Sequence, residues 1–173
     1  MSSYVALLRG VNLLGASTLR MSDLKAIADE LGLDRARTYI ASGNLLFTSD
    51  GSEEELRLML QERLLRHMGR DVRVMLRTAD ELETVVHSNP FADRSGNLVQ
   101  AFFLNETPPL DLLESVRNQA EDEHIALGPR EVFVAYGERG IGRSRLRIPA
   151  AEAGTARNMN TVVKLAELAR EIS

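Results

Sequence analysis

Arg37-Thr38-Tyr39-Ile40-Ala41-Ser42-Gly43-Asn44-Leu45-Leu46-Phe47-Thr48 is the stretch on which the fold turns. Residues 37–41 and 44–48 read as two strand-like runs. Ser42-Gly43 between them reads as a hairpin turn in which Gly43 supplies a positive φ. Two consecutive strands exclude a simple alternation of strand and helix, so the flanking segments decide the topology.

Upstream, Tyr4-Val5-Ala6-Leu7-Leu8 is a short apolar run of β type. Leu24, Ile27, Ala28 and Leu31 then follow at i, i+3, i+4, i+7, which predicts a helix buried on one face. Ser22 is the expected N-cap, with Asp23 in the first turn and Gly32 as the stop. Downstream, Ser52-Glu53-Glu54-Glu55 carries a cap and three acids suited to a helix start, and Leu56, Met59, Leu60 and Leu64 supply its apolar stripe. That helix should end over 67–69, before a strand at Val72-Arg73-Val74-Met75-Leu76. The order β-α-β-β-α-β is complete by about residue 77, which predicts an α+β fold with a ferredoxin-like first half over 1–77.

The remaining residues, 78–173, predict a second, smaller α+β half. A helix is expected over 79–87, a strand over 98–104, a helix over 111–121, and two strands, 124–127 and 131–136, joined at Gly128-Pro129. An amphipathic helix over 158–172 should close the chain, burying Val162, Leu165, Ala166 and Ala169.

Composition places this fold among soluble proteins. The 173 residues are 44% hydrophobic and 27% charged, as in ordinary globular domains. Twenty-one Lys and Arg against 25 Asp and Glu leave a net charge of −4, so no whole-molecule positive field exists to hold nucleic acid or an anionic membrane. Zero Cys excludes disulfides, thiolate metal sites and a cysteine nucleophile, and fits a cytoplasmic location. The first residues lack a basic n-region, and Arg9 interrupts their apolar run, so a signal peptide is not expected. No apolar run approaches the length of a membrane span.

Three segments could carry chemistry. The first, Arg9-Gly10-Val11-Asn12-Leu13-Leu14-Gly15-Ala16-Ser17, joins a strand to a helix and has the G-x-x-x-x-G spacing of a phosphate loop. Ala16, however, stands where that motif requires Lys. Arg9 and Asn12 remain as donors at a strand end, against the plainer reading of a turn that needs glycine. The second segment, Gly154 to Lys164, gathers Arg157, Asn158, Asn160, Thr161 and Lys164 at the expected helix start. There, free N–H groups and the positive end of the dipole attract anions. Capping explains the Asn and Thr residues, but it leaves a cation, Arg157, at the unfavourable end of the dipole.

The third segment is basic. Over 139–157, Arg139, Arg143, Arg145, Arg147 and Arg157 stand against Glu152, a local balance of +4. A basic patch without a motif is weak support for nucleic acid. Phe47 is the one aromatic residue from 42 to 77, so the first half lacks the stacking platform of an RNA-recognition sheet. His67, His87 and His124 fall in separate elements without ligand spacing, so no metal or cofactor is expected. Ser42 and Ser144 lack an evident base, and Glu121-Asp122-Glu123 reads as a solvated helix end.

The motifs Tyr4-Val5-Ala6-Leu7-Leu8-Arg9-Gly10-Val11-Asn12, Met21-Ser22-Asp23-Leu24, Thr38 to Phe47, Asn89-Pro90-Phe91 and Thr155 to Val162 occur in the order found in the family called domain of unknown function 1697, which this chain resembles over nearly its whole length. The resemblance implies two α+β halves, the first ferredoxin-like, and no established activity. It also marks Arg9, Gly10, Asn12, Ser42, Gly43, Asn44, Arg157, Asn158, Asn160 and Thr161 as positions the family keeps. Leu14 and Ala16 stand where its loop usually has Gly and Lys, and Met159 where it usually has Trp. The lost Lys weakens a phosphate reading, and the lost Trp removes a stacking surface.

The favoured expectation is therefore binding of a small anionic, phosphate- or nucleotide-like ligand, with Arg9, Asn12, Ser42, Asn44, Arg157, Asn158, Asn160, Thr161 and Lys164 as candidate ligands. An interaction module working through 139–157, with protein or nucleic acid as partner, is the alternative, with nucleic acid disfavoured by the acidic chain. An enzyme of unidentified reaction class stays open, as does the oligomeric state.

Overall fold

The hairpin around Gly43 forms in a computed structural model of the protein, which describes residues 1–13 and 18–173. Its strands are β2 (Asp34–Thr38) and β3 (Asn44–Ser49), paired antiparallel. The connection is five residues long rather than the expected two, because Asn44 closes it. The buried Asn44 side chain donates from Nδ2 to the Tyr39 carbonyl at 2.9 Å and to Ser42 Oγ at 3.0 Å. Gly43 does adopt a positive φ, +89°. Ile40 in the same turn also sits at positive φ, +50°, a strained position for a β-branched side chain.

β3 pairs antiparallel with β1 (Ser2–Leu8), and β1 pairs antiparallel with β4 (Val74–Thr78). The sheet order is β2-β3-β1-β4. Alternation divides its two faces. Tyr4, Ala6 and Leu8 lie level with Leu45, Phe47, Val74 and Leu76 in one apolar cluster. Leu24, Ile27 and Ala28 of α1 (Met21–Glu30) and Leu56, Leu60 and Leu64 of α2 (Glu53–Met68) complete that cluster.

α2 starts with a capping box, Ser52 Oγ accepting from the Glu55 N–H and the Glu55 carboxylate from the Ser52 N–H, and stops at the left-handed Gly69. α1 starts two residues earlier than expected. Arg20 is its N-cap, held to Asp23 by a 2.9 Å ion pair, and Ser22 falls inside the first turn.

The chain divides into two compact units, Met1–Leu82 with Leu165–Ser173, and Glu83–Lys164. The sequence reading divides it near residue 77 and leaves the last helix wholly with the second half. Instead α4 (Met159–Glu171) begins in the second unit, and its part from Leu165 onward belongs to the first. Within the first unit, Ser173 bonds Ser3 at 2.7 Å, and Arg35 and Arg37 donate to the carbonyls of Ile172 and Leu168 at 3.0 and 2.9 Å.

The second unit carries a four-stranded antiparallel sheet of order β6-β7-β5-β8. Its strands are β5 (Val99–Phe103), β6 (His124–Leu127), β7 (Glu131–Ala135) and β8 (Thr155–Asn158). The helix expected over 79–87 is α3 (Ala79–His87), and Gly128-Pro129 joins β6 to β7. Val132, Val134 and Tyr136 pack with Leu104, Leu112 and Ile148 on one face of the sheet.

The helix expected over 111–121 does not form. Leu112–Ser115 makes a single 3-10 turn. Beyond it Arg117 pairs with Arg147 through two 2.9 Å backbone bonds, so the amide groups a helix would use internally are satisfied by a distant segment. The final helix also begins later than expected, since 155–158 is the strand β8. Both sheets and the four α-helices make this a mixed α+β protein, and among the described residues no helix is long and apolar enough to cross a membrane.

Candidate functional site

The residues singled out from sequence fall into two groups, one in each unit. In the first unit, Asn12, Ser42 and Asn44 gather at the β2–β3 turn. Asn12 donates from Nδ2 to the carbonyls of Leu19 and Ala41 and accepts from the Leu19 N–H at Oδ1, each at 2.7 Å. It holds φ +56°, a conformation Asn tolerates better than most residues. Its donors and acceptor are thus spent on the fold, as are those of Asn44. Arg9 is exposed, with its backbone N–H on the Arg73 carbonyl at 2.9 Å. Gly15 and Ala16 of the loop motif lie outside the described residues.

In the second unit, Arg157 overturns the premise of a cation at a helix N-terminus. It lies within β8, opposite Ala101 of β5, and is only 6% exposed. Its Nη1 donates to Thr155 Oγ1 at 2.7 Å and to the Ala156 carbonyl at 2.9 Å, and burial pushes the guanidinium down, to about 10. Arg157 therefore shares no helix face with Lys164. Asn158 is the cap of α4, its Oδ1 accepting from the Thr161 N–H at 3.0 Å. Asn160 packs against Gly96, Thr161 is buried, and Lys164 is exposed.

The basic segment divides by role. Arg147 pairs with Glu152 at 2.7 Å, and Arg157 is buried. Arg139, Arg143 and Arg145 instead border a cavity of about 590 Å³ within the second unit. All three are exposed, and among the described residues their guanidinium groups make no hydrogen bond or ion pair. The turn that carries them is shaped by Gly140 at φ +75°, which opens a 3-10 turn over Ile141–Arg143.

The cavity is also lined by Asn118 and Ala120, from the segment that failed to become a helix, and by Asp122 and Glu123 just beyond it. Glu123, only 5% exposed, accepts from the Ala120 N–H at 2.9 Å and from the hydroxyl of Ser144. Ser144 Oγ also accepts from the Leu146 N–H at 3.1 Å, so this hydroxyl ties the two segments together. The solvated reading of Glu121-Asp122-Glu123 is thereby corrected for Glu123. Its negative charge, together with burial, pushes the nearby Tyr136 phenol up to about 12, with burial the larger cause. Asp122 is exposed, accepts from the Glu138 N–H at 3.3 Å and packs so closely over Gly137 that any Cβ there would collide with its carboxylate.

Sequence reading found the arginine run but not this cavity. Its one local trace was the coincidence of closely spaced arginines with glycines at 137, 140 and 142. Chemically, three unengaged guanidiniums offer paired donors in the geometry that carboxylate and phosphate oxygens accept.

The chain belongs to the family described as Protein of unknown function (DUF1697), whose model matches residues 1–133. Among solved structures it is similar to that of the conserved bacterial protein SP0830 from Streptococcus pneumoniae. The TM-score is 0.80 at 24% identity, covering 97% of this chain and 98% of that one. At that identity the likeness shows the fold alone. No curated protein matches.

Proposed function

For this family member we propose that the protein binds a compact anionic small molecule, and that the cavity bordered by Arg139, Arg143 and Arg145 holds it. The observation that carries the reading is the set of three guanidiniums that have no hydrogen bond or ion pair among the described residues and border one concavity, in a chain whose net charge is −4. Clustering like charges without partners raises the free energy of the empty state, and an anion relieves it. The contact of buried Glu123 with Ser144 fixes the turn between Arg143 and Arg145, which limits the reorganisation that binding would cost.

Of the residues favoured from sequence, Asn12, Asn44, Arg157 and Asn158 are engaged in turns, strand and cap, which supports a scaffold role for them. The alternative of a nucleic-acid or protein interface along 139–157 draws less support, because Arg147 and Arg157 are consumed within the fold and leave a local cluster, not a stripe. The antiparallel order β2-β3-β1-β4 supports a ferredoxin-like reading of the first unit. A cytoplasmic location fits the cysteine-free composition.

The test is a thermal-shift and calorimetric titration with inorganic phosphate, pyrophosphate and citrate at constant ionic strength, against sodium chloride as control. The wild-type protein should be stabilised by at least one of these anions, and the combined Arg139→Gln, Arg143→Gln, Arg145→Gln variant should lose that response. A variant that retains the full response, or a wild type indifferent to all three anions, refutes the proposal.

A further inference from the structure

The cavity holds more than an anion needs. Its volume, about 590 Å³, lies in the range of sites that enclose a whole small molecule. Among the described residues its lining contains no aromatic side chain, and Ala120 is its one apolar side chain. Asp122, which also lines it, would repel a phosphate. Among the described residues, only one Asp122 oxygen, Oδ2, receives a hydrogen bond. Asn118, across the same cavity and at φ +57°, makes no side-chain hydrogen bond among the described residues. A carboxylate and an amide thus line the same cavity as three arginines, so cationic donors and hydrogen-bond acceptors share one site.

On this basis, and resting on the anion-binding reading above, we propose that the ligand is a phosphorylated polyhydroxy compound of the sugar phosphate class. The arginines take its phosphate. The second oxygen of Asp122 and the amide of Asn118 take its hydroxyl groups, a carboxylate being a strong acceptor for the O–H groups of a diol. A nucleotide offers the same phosphate and ribose, but its base is held best by an aromatic side chain, and among the described residues the lining has none.

The experiment titrates the full-length protein with inorganic phosphate, ribose 5-phosphate, glucose 6-phosphate, AMP and free ribose by calorimetry, and repeats the series with Asp122→Asn. At least one of the sugar phosphates should bind about tenfold more tightly than inorganic phosphate, the gain expected from one or two hydrogen bonds to a charged acceptor. AMP should bind no more tightly than ribose 5-phosphate, and ribose alone should be weak.

Asp122→Asn removes the repelling charge, so inorganic phosphate should bind as well or better. The preference for sugar phosphate should shrink to about twofold or less as the charged acceptor is lost. Retained phosphate binding shows that the variant is folded. Sugar phosphates no tighter than phosphate, a tenfold preference for AMP over ribose 5-phosphate, or an undiminished preference in Asp122→Asn overturns this inference while leaving the anion site standing. Absence of binding by every phosphate compound overturns this inference, and the anion site falls with it only if pyrophosphate and citrate also leave the protein unstabilised.

Discussion

Replacing Asn12 should destabilise the protein through two separable effects. The side chain makes three 2.7 Å hydrogen bonds, two to Leu19 and one to the exposed Ala41, and Leu19 is only 1% exposed, so water cannot readily replace the two bonds to it. At about 1 kcal/mol net for each bond, their loss amounts to about 3 kcal/mol. The left-handed backbone at φ +56° adds about 1 kcal/mol when a residue with a Cβ and no polar side chain takes the place of Asn. Asn12→Ala should therefore cost about 4 kcal/mol, whereas Asn12→Gly, which relieves the backbone but not the lost bonds, should cost about 3 kcal/mol. Urea titration followed by far-ultraviolet circular dichroism is the suitable assay, since the chain has no Trp to report by fluorescence. A loss below about 1 kcal/mol for Asn12→Ala, or a glycine variant less stable than the alanine one, would refute this account of the loop.

Arg157→Gln should lower stability by about 2 kcal/mol, because Thr155 Oγ1 and the Ala156 carbonyl lose their donor in a buried strand, and anion affinity should not change. Parallel denaturation and phosphate titration check both halves. Tyr136 supplies a pH dependence: its folded value of about 12 lies above its ordinary 10.0, so its contribution is complete below about pH 10 and is lost as pH rises towards 12. Urea midpoints across that interval should fall more steeply in the wild type than in Tyr136→Phe, by up to about 2 kcal/mol at the alkaline end. Equal slopes would show that the phenol ionises freely.

Features set by neighbours in sequence were legible from it. The Ser52–Glu55 capping box, the glycine stops at 32 and 69, and the hairpin at Gly128-Pro129 each depend on residues a few positions apart. The β2–β3 turn was placed correctly but sized wrongly, because the Asn44 side chain replaces backbone bonds that a tighter turn would use. The segment over 111–121 carries helical spacing, yet its backbone groups find Arg147, thirty residues beyond Arg117, and no periodicity reveals such a partner. The same tertiary override buries Arg157 in a strand and Glu123 behind a hydroxyl. The candidate cavity was invisible for the same reason, since Asn118 comes from that misread segment, Asp122 from just beyond it, and the arginines from a later turn.

The path of the chain through the two units sets an order for biosynthesis. Residues Glu83–Lys164 form an uninterrupted span, whereas the unit begun at Met1 needs Leu165–Ser173. During translation the inserted span is therefore finished first. The carbonyl groups of Leu168 and Ile172, to which Arg37 and Arg35 donate, leave the ribosomal tunnel after the whole of that span. The first sheet must wait for them. A chain cut before Leu165 would thus lose part of the unit begun first while keeping every residue of Glu83–Lys164.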